Sequence, residues 1–271
     1  MRASVIMSVY NGCPKQIEKA ADSILSELQK DMELILLDDG SRENIRKSLV
    51  QLSKQDKRIR YLRNETNRGL AESLNRCLQA AAAPIVIRQD ADDISLPGRV
   101  EKLLACFEKF PEFDIIGSNT ILFDETGPWG SMAYPEFPQK RDFLFCLPFL
   151  HGACAFRKEA VLRAGGYRGG KLTRRCEDFE LLSRMYAAGS RGYNIQEALY
   201  AYREDAAAVK RRKYRHRVEE AAVKYLSFQK LGLLPGGLPY VCKPLAVGLL
   251  PQRVLEKLKD WHYGRRWEGK R

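Results

Sequence analysis

Two runs of acidic residues are the strongest candidates for chemistry in this sequence of 271 residues. Asp90-Ala91-Asp92-Asp93 places three carboxylates within four residues, and Asp38-Asp39-Gly40-Ser41 adds a second acidic pair. Like charges this close repel each other, and a bound divalent cation relieves the repulsion while it bridges phosphate oxygens. Oxygen ligands suit Mg²⁺ or Mn²⁺. The first run therefore predicts a site for a divalent metal and a phosphate group.

The elements that must position these carboxylates are short strands that alternate with helices. Apolar runs predict buried strands over 3–9, 33–37, 59–62 and 84–87, and amphipathic segments between them predict helices. This alternation predicts an α/β fold with a mainly parallel sheet flanked by helices. Each acidic run directly follows a strand, and ligands of such sheets bind at the carboxyl ends of the strands. Both runs are therefore expected at one edge of the sheet.

Each acidic run also has a purely structural interpretation. Carboxylates that precede Pro97 and a predicted helix from Arg99 are well placed to cap that helix. Asp39-Gly40 is a strong turn signal, and the serine that follows is a good helix cap. For the Asp90–Asp93 run alone, the two interpretations are equally supported. The pair of acidic strand ends carries more weight than either run by itself.

The remainder of the chain predicts further elements and a helical appendage. We expect helices over 99–110 and 177–188, strands over 113–123 and 153–156, loops over 124–148 that cover the active face, and an edge strand over 193–202. A helix over 213–231 is predicted to be amphipathic. Its expected apolar face consists of Tyr214, Val218, Ala221, Ala222, Tyr225 and Phe228.

The C-terminal part of the chain is strongly basic. Residues 209–271 contain 16 Lys and Arg against 5 Asp and Glu, and so carry +11 of the net charge of +12. We expect a catalytic domain over 1–208 and a helical basic extension over 209–271. Leu, Trp and Tyr interleaved with the basic residues favour peripheral contact with an anionic membrane over binding of single-stranded nucleic acid. A solvated helical tail and a dimer interface are the remaining interpretations.

Cysteine usage and hydropathy indicate the compartment. Seven cysteines without a Cys-x-x-Cys pair indicate neither a disulfide framework nor a thiolate zinc site. No apolar run approaches the roughly 20 residues of a membrane-spanning helix, and no signal-peptide pattern is present. These features predict a protein of the cytoplasm that lies on the inner face of the cell membrane.

Six segments in this order resemble the family 2 glycosyltransferases with the GT-A fold, over roughly residues 3 to 205. They are Ser8-Val9-Tyr10-Asn11, Leu37 to Ser41, Asn67-Arg68-Gly69-Leu70 with Asn75, Asp90 to Asp93 with Leu96-Pro97 and Arg99, Gly165-Gly166-Tyr167, and Glu177-Asp178 with Leu181 and Arg184. The resemblance implies a GT-A, Rossmann-like fold. It also implies transfer of a sugar, with inversion, from a nucleotide sugar to a glycan or a lipid-linked sugar acceptor.

The resemblance further implies roles for individual residues. Asp178 is the expected general base, Asp92 the expected direct metal ligand, and Asp90 the carboxylate that supports the metal and faces the nucleotide sugar. Glu177 and His151 lie where acceptor or sugar contacts are expected. The positions expected to bind the donor, commonly a uridine nucleotide sugar, are Ser8, Val9, Tyr10, Asp39, Asn67, Gly69, Asp90 and Ala91.

Two other classes of function compete with this interpretation. A nucleotide-sugar or nucleic-acid binding protein without transferase activity would not need the carboxylates Asp90, Asp92 and Asp178. A nucleotidyltransferase also uses clustered carboxylates and a metal, but a Gly-rich phosphate loop is absent near the start of the sequence. A glycosyltransferase in the assembly of cell-surface polysaccharide or glycolipid is therefore the favoured function.

Overall fold

The computed structural model describes residues 1–204, 214–251, 254–255, 257–258 and 263. Its first half alternates strands and helices: β1 (Ala3–Val9), α1 (Pro14–Leu25), β2 (Met32–Asp39), α2 (Glu43–Gln55), β3 (Ile59–Asn64), α3 (Leu70–Ala80), β4 (Ile85–Arg88), β5 (Ile94–Ser95) and α4 (Arg99–Lys109). The second half contains β6 (Ile115–Asp124), β7 (Gly127–Met132), β8 (Ala155–Arg157), α5 (Lys158–Arg163), α6 (Glu177–Ala187), β9 (Gly192–Arg203), α7 (Tyr214–Leu231) and α8 (Leu238–Gly248).

One sheet contains all nine strands in the order β3-β2-β1-β4-β8-β6-β9-β5, and β7 branches from β6. Strands β3, β2, β1 and β4 run parallel to one another, and β6 runs parallel to β9. Strand β8 runs antiparallel to both of its neighbours and joins the two parallel parts. The predicted α/β fold with a mainly parallel sheet and flanking helices is confirmed.

Helices cover both faces of the sheet, which explains why the first strands are apolar throughout. All eight residues of β2 are buried. Alternate side chains of a strand point to opposite faces. Leu34 and Leu36 pack with α1, α2 and α4, whereas Ile35 and Leu37 pack with α3, α5, α6 and α7. A strand buried on both faces reads as a continuous apolar run, and this is the pattern of a parallel sheet.

Two predictions for the second half of the chain are wrong. The segment over 193–202 was expected at an edge of the sheet, but β9 lies between β6 and β5, and the two-residue β5 occupies that edge. The expected loops over 124–148 contain the strand β7 and a short 3₁₀ turn over Lys140–Leu144. The side chain of Asp124 accepts hydrogen bonds from Thr126, and Gly127 has φ +120°. This turn closes a hairpin that the sequence analysis missed.

The apolar face predicted for α7 is also wrong in part. Tyr214, Val218 and Tyr225 are exposed by 44–49%. The buried positions of the helix are Ala221, Val223, Lys224, Ser227, Phe228 and Leu231. The physical reason is that α7 packs against α6, where Ser183 Oγ lies 2.9 Å from Ser227 Oγ in a buried hydrogen bond. Small and polar residues therefore form part of the interface, and an apolar stripe remains in solvent.

The predicted boundary between residues 208 and 209 falls within 205–213, outside the described residues. Beyond it, α7 packs on α6, and its Phe228 lies 6.4 Å, ring to ring, from Phe179. The division into two domains stays a prediction. In the residues that the structure describes, none of the helices is long and apolar enough to cross a membrane.

Phe228 is fully buried between α6 and the turn at Gly237. Its replacement tests how much the packing of α7 on α6 contributes to the free energy of unfolding. We expect Phe228→Ala to lower the free energy of unfolding by about 3–5 kcal/mol, because truncation leaves a cavity. Tyr225→Ala, on the exposed side of the same helix, should change it by less than about 0.5 kcal/mol. Urea denaturation measures both values, and equal small effects would show that α7 adds little to the folded core.

Candidate active site

The carboxyl ends of β1, β2 and β4 meet at one edge of the sheet. Val9 at the end of β1 pairs with Asp38 in β2, and Ile6 of β1 pairs with Arg88 at the end of β4. Asp90 follows β4 by two residues. The expectation that both acidic runs lie at the same edge of a parallel sheet is confirmed.

Asp38 is buried and bound within the protein. Its Oδ1 accepts a hydrogen bond from the backbone of Ser41 at 2.8 Å, and its Oδ2 accepts one from the hydroxyl of Tyr61 at 3.1 Å. Arg63 Nε lies 3.5 Å from the same Oδ2. Burial and the charge of Asp38 raise the pKa of Tyr61 to about 12. Asp38 therefore holds the turn after β2 and the end of β3.

Asp39 fixes the loop that precedes α3. Its side chain accepts hydrogen bonds from Asn64 Nδ2 at 2.7 Å and from the backbone N–H groups of Arg68 and Gly69, both at 2.9 Å. It is 2% exposed. Gly40 allows the loop to approach, since a Cβ there would lie 2.6 Å from the carbonyl carbon of Thr66. These bonds give Asp39 a structural role, and its expected contact with the nucleotide stays a prediction.

The other donor-binding candidates at this edge differ in exposure. Ser8 is half-buried, Val9 is 2% exposed, and the side chain of Tyr10 is 56% exposed. Asn67 lies in solvent on the loop that Asp39 holds, and Gly69 is half-buried. Tyr10 and Asn67 are therefore the candidates in this group whose side chains are open to a ligand.

A buried arginine anchors the acidic turn after β4. Arg88 is fully buried and forms an ion pair with Oδ1 of Asp90, which is 31% exposed. Gly152 packs against the other side of Asp90, because a Cβ at that position would lie 2.7 Å from Asp90 Oδ2 and from the hydroxyl of Tyr200. The backbone N–H of Asp90 donates to that same hydroxyl at 3.1 Å. The position of Asp90 is therefore set from several sides.

A second fully buried arginine, Arg99, lies beneath the turn. It donates to the backbone oxygen of Arg88 at 2.7 Å and to that of Gly152 at 3.0 Å. It also donates to the side chain of Gln89 at 2.9 Å, and its guanidinium lies 4.5 Å from the centre of the Tyr200 ring. The sequence analysis identified Arg99 only by its resemblance. It missed Arg88, Gln89 and Tyr200. All three are buried in or next to strands, where the sequence pattern does not distinguish a polar residue with a supporting role from an ordinary core position.

The three carboxylates of the acidic turn have different surroundings. Asp93 is buried and accepts a hydrogen bond from the backbone of Arg203 at 2.7 Å. Burial and the charges of Asp90 and Asp92 raise the pKa of Asp93 well above its usual value. Ala91 is half-buried against the core. Asp93 thus faces the interior, which leaves Asp90 and Asp92 as the carboxylates available to a ligand.

The chemistry of Asp90 and Asp92 fits a divalent cation. Asp92 reaches solvent at its outer side. Burial raises the pKa of Asp92 to about 6, and repulsion from the negative charge of Asp90 contributes to the rise. Among the described residues, no three side chains of His, Cys, Asp or Glu form a closed metal cage. Mg²⁺ typically binds through one or two carboxylates together with phosphate oxygens of a substrate, and this pair suits such a site.

Asp178 and Glu177 lie in the first turn of α6, a helix that contacts the segment of Tyr167 because Arg184 donates to the backbone oxygen of Gly166 at 2.8 Å. Oδ1 of Asp178 accepts the backbone N–H of Phe179 at 2.7 Å. Burial raises the pKa of Tyr167, and the charges of Asp90 and Asp178 raise it further. Burial and the charge of Asp178 raise the pKa of Glu177 to about 7. Contacts through Gly152, His151 and Tyr167 thus connect the acidic turn with the segment that packs on α6, and the role of Asp178 as base stays a prediction.

His151 lies in the interior and not in the open cleft. It is 7% exposed, and its Nε2 lies 2.7 Å from the hydroxyl of Tyr167. Burial and the nearby Arg88 lower its pKa to about 3, so the imidazole is neutral at physiological pH. These contacts give His151 a supporting role behind Asp90, and direct contact with a sugar stays a prediction.

The comparison with protein families matches this site. A sequence model of the family described as "Glycosyl transferase family 2" matches residues 4–166, which is more than half of the chain. The chain belongs to this family. The matched segment contains both acidic runs and ends before α6, so the family 2 match does not extend to Asp178.

Relatives of this family 2 glycosyltransferase include EpsE of Bacillus subtilis, described as a glycosyltransferase. EpsE is 38% identical over 257 residues, which are 94% of this chain and 92% of EpsE. The UDP-Gal:alpha-D-GlcNAc-diphosphoundecaprenol beta-1,3-galactosyltransferase of Escherichia coli is 30% identical over 77% of this chain and 76% of its own length. Among solved structures, the mannosyltransferase PcManGT from Pyrobaculum calidifontis with GDP-Man and Mn²⁺ superposes with a TM-score of 0.61 and 20% identity over 96% of this chain and 80% of its own.

Gly152 provides a test of how tightly the glycosyltransferase site is packed around Asp90. In Gly152→Ala the new methyl group must displace Asp90 or Tyr200. We expect sugar transfer and donor hydrolysis to fall by at least about tenfold, because small displacements in active sites often cause larger losses of rate. Gly236→Ala is the control, because a Cβ there meets only Leu233 O at 4.0 Å. Steady-state kinetics and circular dichroism measure activity and folding, and full activity of Gly152→Ala would contradict the described packing.

Proposed function

We propose that this glycosyltransferase is metal-dependent and inverting, and that it moves a sugar from a nucleotide sugar to a hydroxyl of a glycan or lipid-linked acceptor. The observation that supports the proposal is a chain of contacts from the acidic turn to α6. A Cβ on Gly152 would lie 2.7 Å from Asp90 Oδ2, the preceding His151 lies 2.7 Å from the hydroxyl of Tyr167, and Arg184 of α6 donates to the backbone oxygen of Gly166 at 2.8 Å. Cell-surface polysaccharide or glycolipid assembly is the proposed context.

Asp92 and Asp90 would hold the metal, either Mn²⁺ or Mg²⁺. When bound, the metal offsets the charge that develops on the departing nucleoside diphosphate. Asp92 reaches solvent and can bind the metal directly, whereas Asp90 is tied to the buried Arg88. The rigid support of Asp90 keeps both carboxylates in place as the phosphate oxygens arrive, so the site needs little rearrangement.

Asp178 would act as the general base. It is half-buried at the first turn of α6 and takes the proton from the acceptor hydroxyl as that oxygen attacks the sugar carbon. The sugar–oxygen bond to the nucleoside diphosphate breaks in the same step. The neighbouring Glu177 has its pKa raised to about 7, which also suits a general base, and the preference for Asp178 comes from the family resemblance. One base and one displacement give inversion at the sugar carbon.

The nature of the donor and acceptor is proposed from the relatives. The Escherichia coli relative carries UDP-Gal and a diphosphoundecaprenol acceptor in its name, whereas the Pyrobaculum structure contains GDP-Man. We favour a UDP-sugar because the identity with the galactosyltransferase is higher. Exposed Tyr10 and the turn after β2 would contact the nucleotide base at the edge of the sheet.

The base assignment is tested with Asp178→Asn, which keeps the shape of the side chain and removes its basicity. We expect turnover to fall by about 10²–10⁴-fold while binding of UDP with Mn²⁺, measured by calorimetry, is retained. Glu177→Gln is the matched control, and its turnover should fall by less than about tenfold.

Metal dependence is tested separately with a chelator. Addition of EDTA should abolish activity of the unaltered protein. UDP binding without any sugar transfer or hydrolysis from a panel of nucleotide sugars would instead favour a binding protein without transferase activity.

We further propose that the C-terminal helices place the enzyme on the inner face of the cell membrane, in the cytoplasm. The exposed large apolar side chains of this region are Tyr214, Val218, Tyr225, Leu226, Leu238, Leu249, Leu250, Val254 and Leu258. In α8 only Pro244 is buried. Exposed apolar residues on so basic a segment suit the interface of an anionic membrane. Arg211, Arg212, Trp261 and Trp267, also in the basic tail, lie outside the described residues.

Leu249 and Leu250 test the membrane proposal, because they are exposed by 75% and 42%. We expect the double change of both to Glu to abolish sedimentation with phosphatidylglycerol vesicles at low salt and to leave hydrolysis of soluble donor intact. Leu162→Glu on α5, a residue exposed by 47%, adds a charge elsewhere and should sediment normally. If the unaltered protein does not bind the vesicles but binds single-stranded RNA tightly, the tail is a nucleic-acid binding segment instead.

A further inference from the structure

Arg203 ends β9 beside the acidic turn and is joined to that turn by two hydrogen bonds. Its backbone N–H donates to Asp93 Oδ1 at 2.7 Å, and its Nε donates to the backbone oxygen of Asp92 at 3.2 Å. β9 runs antiparallel to β5, the two-residue strand that directly follows the turn, and this pairing brings Arg203 to the turn. The guanidinium of Arg203 therefore lies against Asp92, the expected direct ligand of the metal.

An aromatic ring supports the same guanidinium from the neighbouring strand. Phe123 of β6 is the register partner of Arg203 in β9, and its ring centre lies 4.6 Å from the guanidinium carbon. A planar guanidinium stacks on an aromatic face and keeps its N–H donors at its edge, where they can bind phosphate oxygens in pairs. Arg203 is half-buried, so it is supported by the protein and still reaches solvent. A cation held in this way loses little conformational freedom when it binds a ligand.

The attachment of β9 to the acidic turn does not require an arginine. The bond to Asp93 uses the backbone N–H of residue 203, which every residue except proline possesses. The pairing of β9 with β5 and β6 is likewise made by the backbone. What the arginine adds at this position is a fixed positive charge.

A fixed positive charge beside Asp92 suits the departure of a nucleoside diphosphate. A divalent cation held by the carboxylates of Asp90 and Asp92 would keep little net charge toward the diphosphate. Arg88 is fully buried and paired with Asp90, which leaves it unavailable to a ligand. The diphosphate is negative from the start and becomes more so as its bond to the sugar breaks. A preorganised cation at the open side of the turn stabilises that developing charge.

We propose that Arg203 is a second cationic group of the donor site, whose guanidinium binds the diphosphate of the nucleotide sugar and stabilises the departing nucleoside diphosphate. This inference rests on the proposed function. The acceptor oxygen forms a bond to the sugar carbon and loses its proton to the base. The bond between that carbon and the diphosphate oxygen breaks, and its electron pair stays on the oxygen. Arg203 donates hydrogen bonds to the group that receives this charge, and it stays protonated at any working pH.

Calorimetry on the full chain compares UDP and GDP in buffer with Mn²⁺, and the nucleotide that binds the unaltered protein more tightly is used for the variants. Arg203→Gln removes the charge and should weaken that affinity about tenfold or more, the loss of a charge-assisted hydrogen bond. Arg203→Lys keeps the charge without the planar fork and should lie between the two. Arg191→Gln is the matched control, because Arg191 is exposed just before the opposite end of the same strand, and it should bind like the unaltered protein.

The nucleoside alone separates phosphate binding from a general change of the site. Uridine and guanosine carry no phosphate, so Arg203→Gln should bind the matching nucleoside as the unaltered protein does, in a titration followed by nuclear magnetic resonance. Equal losses for nucleoside and nucleotide would show a distorted site and would overturn the proposal, as would unchanged nucleotide affinity. Arg203→Met, whose chain can still pack on Phe123, is the second neutral variant if Arg203→Gln does not fold.

The same titration in EDTA separates Arg203 from the metal. The arginine acts on the phosphate itself, so the loss in Arg203→Gln should persist when the metal is removed. A loss that disappears in EDTA would show that Arg203 acts only by positioning the metal-binding carboxylates, and this outcome would also overturn the proposal.

Donor turnover distinguishes this inference from the proposed function. If transfer occurs, turnover of Arg203→Gln should fall as well, because the charge on the diphosphate is larger in the transition state than in the bound donor. Nucleotide binding that depends on Arg203 without hydrolysis or transfer from any nucleotide sugar would count against the proposed function alone. Transfer by the unaltered protein with a nucleotide affinity that does not depend on residue 203 would overturn only the role of Arg203.

Discussion

The buried pair of Arg88 and Arg99 is the constraint on which the candidate site depends. Both guanidinium groups are fully buried, and burial without compensation would cost several kcal/mol each. Compensation comes from the ion pair with Asp90, from Gln89 and from backbone oxygens, including that of Gly152. The acidic turn therefore cannot move without leaving a buried charge unpaired. Asp90, the carboxylate proposed to support a metal, gains its fixed position from this network.

The same network extends to α6 through the segment that contains Tyr167. Asn75 of α3 donates to the backbone oxygen of Tyr167 and accepts from its N–H, both at 2.8 Å. Arg184 of α6 donates to the backbone oxygen of Gly166 at 2.8 Å and forms an ion pair with Glu180 at 2.6 Å. Gly166 has φ +68°, and a Cβ there would lie 2.6 Å from Asn75 Oδ1. These contacts join α3 to the loop and the loop to α6, the helix whose first turn carries Glu177 and Asp178.

The sequence predicted the first half of the fold well because two strong signals agree there. Apolar runs such as that of β2, each followed by an amphipathic helix, leave few alternatives to a parallel sheet, and the acidic runs mark the ends of strands. The second half is set by tertiary contacts. Packing against α6 decided which side of α7 is buried, and β5 displaced β9 from the edge. Neither effect has a local signal in the sequence.

The sequence was enough to propose the carboxylates of the candidate site but not the residues that support them. Residue type and spacing select Asp90 and Asp92 because metal chemistry demands oxygen ligands. The supporting residues Arg88 and Tyr200 lie inside buried strands or at their ends, where they resemble ordinary core positions. Asp39 and His151 show the opposite difficulty, since polar residues that suggest ligand contact are engaged by the protein itself. Only the three-dimensional structure tells which polar groups are already satisfied.

The two ends of the strand order bear on how copies of the protein behave at high concentration. A sheet with a long, flat and apolar outer strand offers unpaired backbone groups to another chain and so promotes aggregation. Here β5 has only two residues, and β3 carries Arg60 and Arg63 along its length. Neither end provides a good template for a strand of a second molecule. The protein can therefore keep an apolar helix such as α8 in solvent without either end of the strand order adding a second route to self-association.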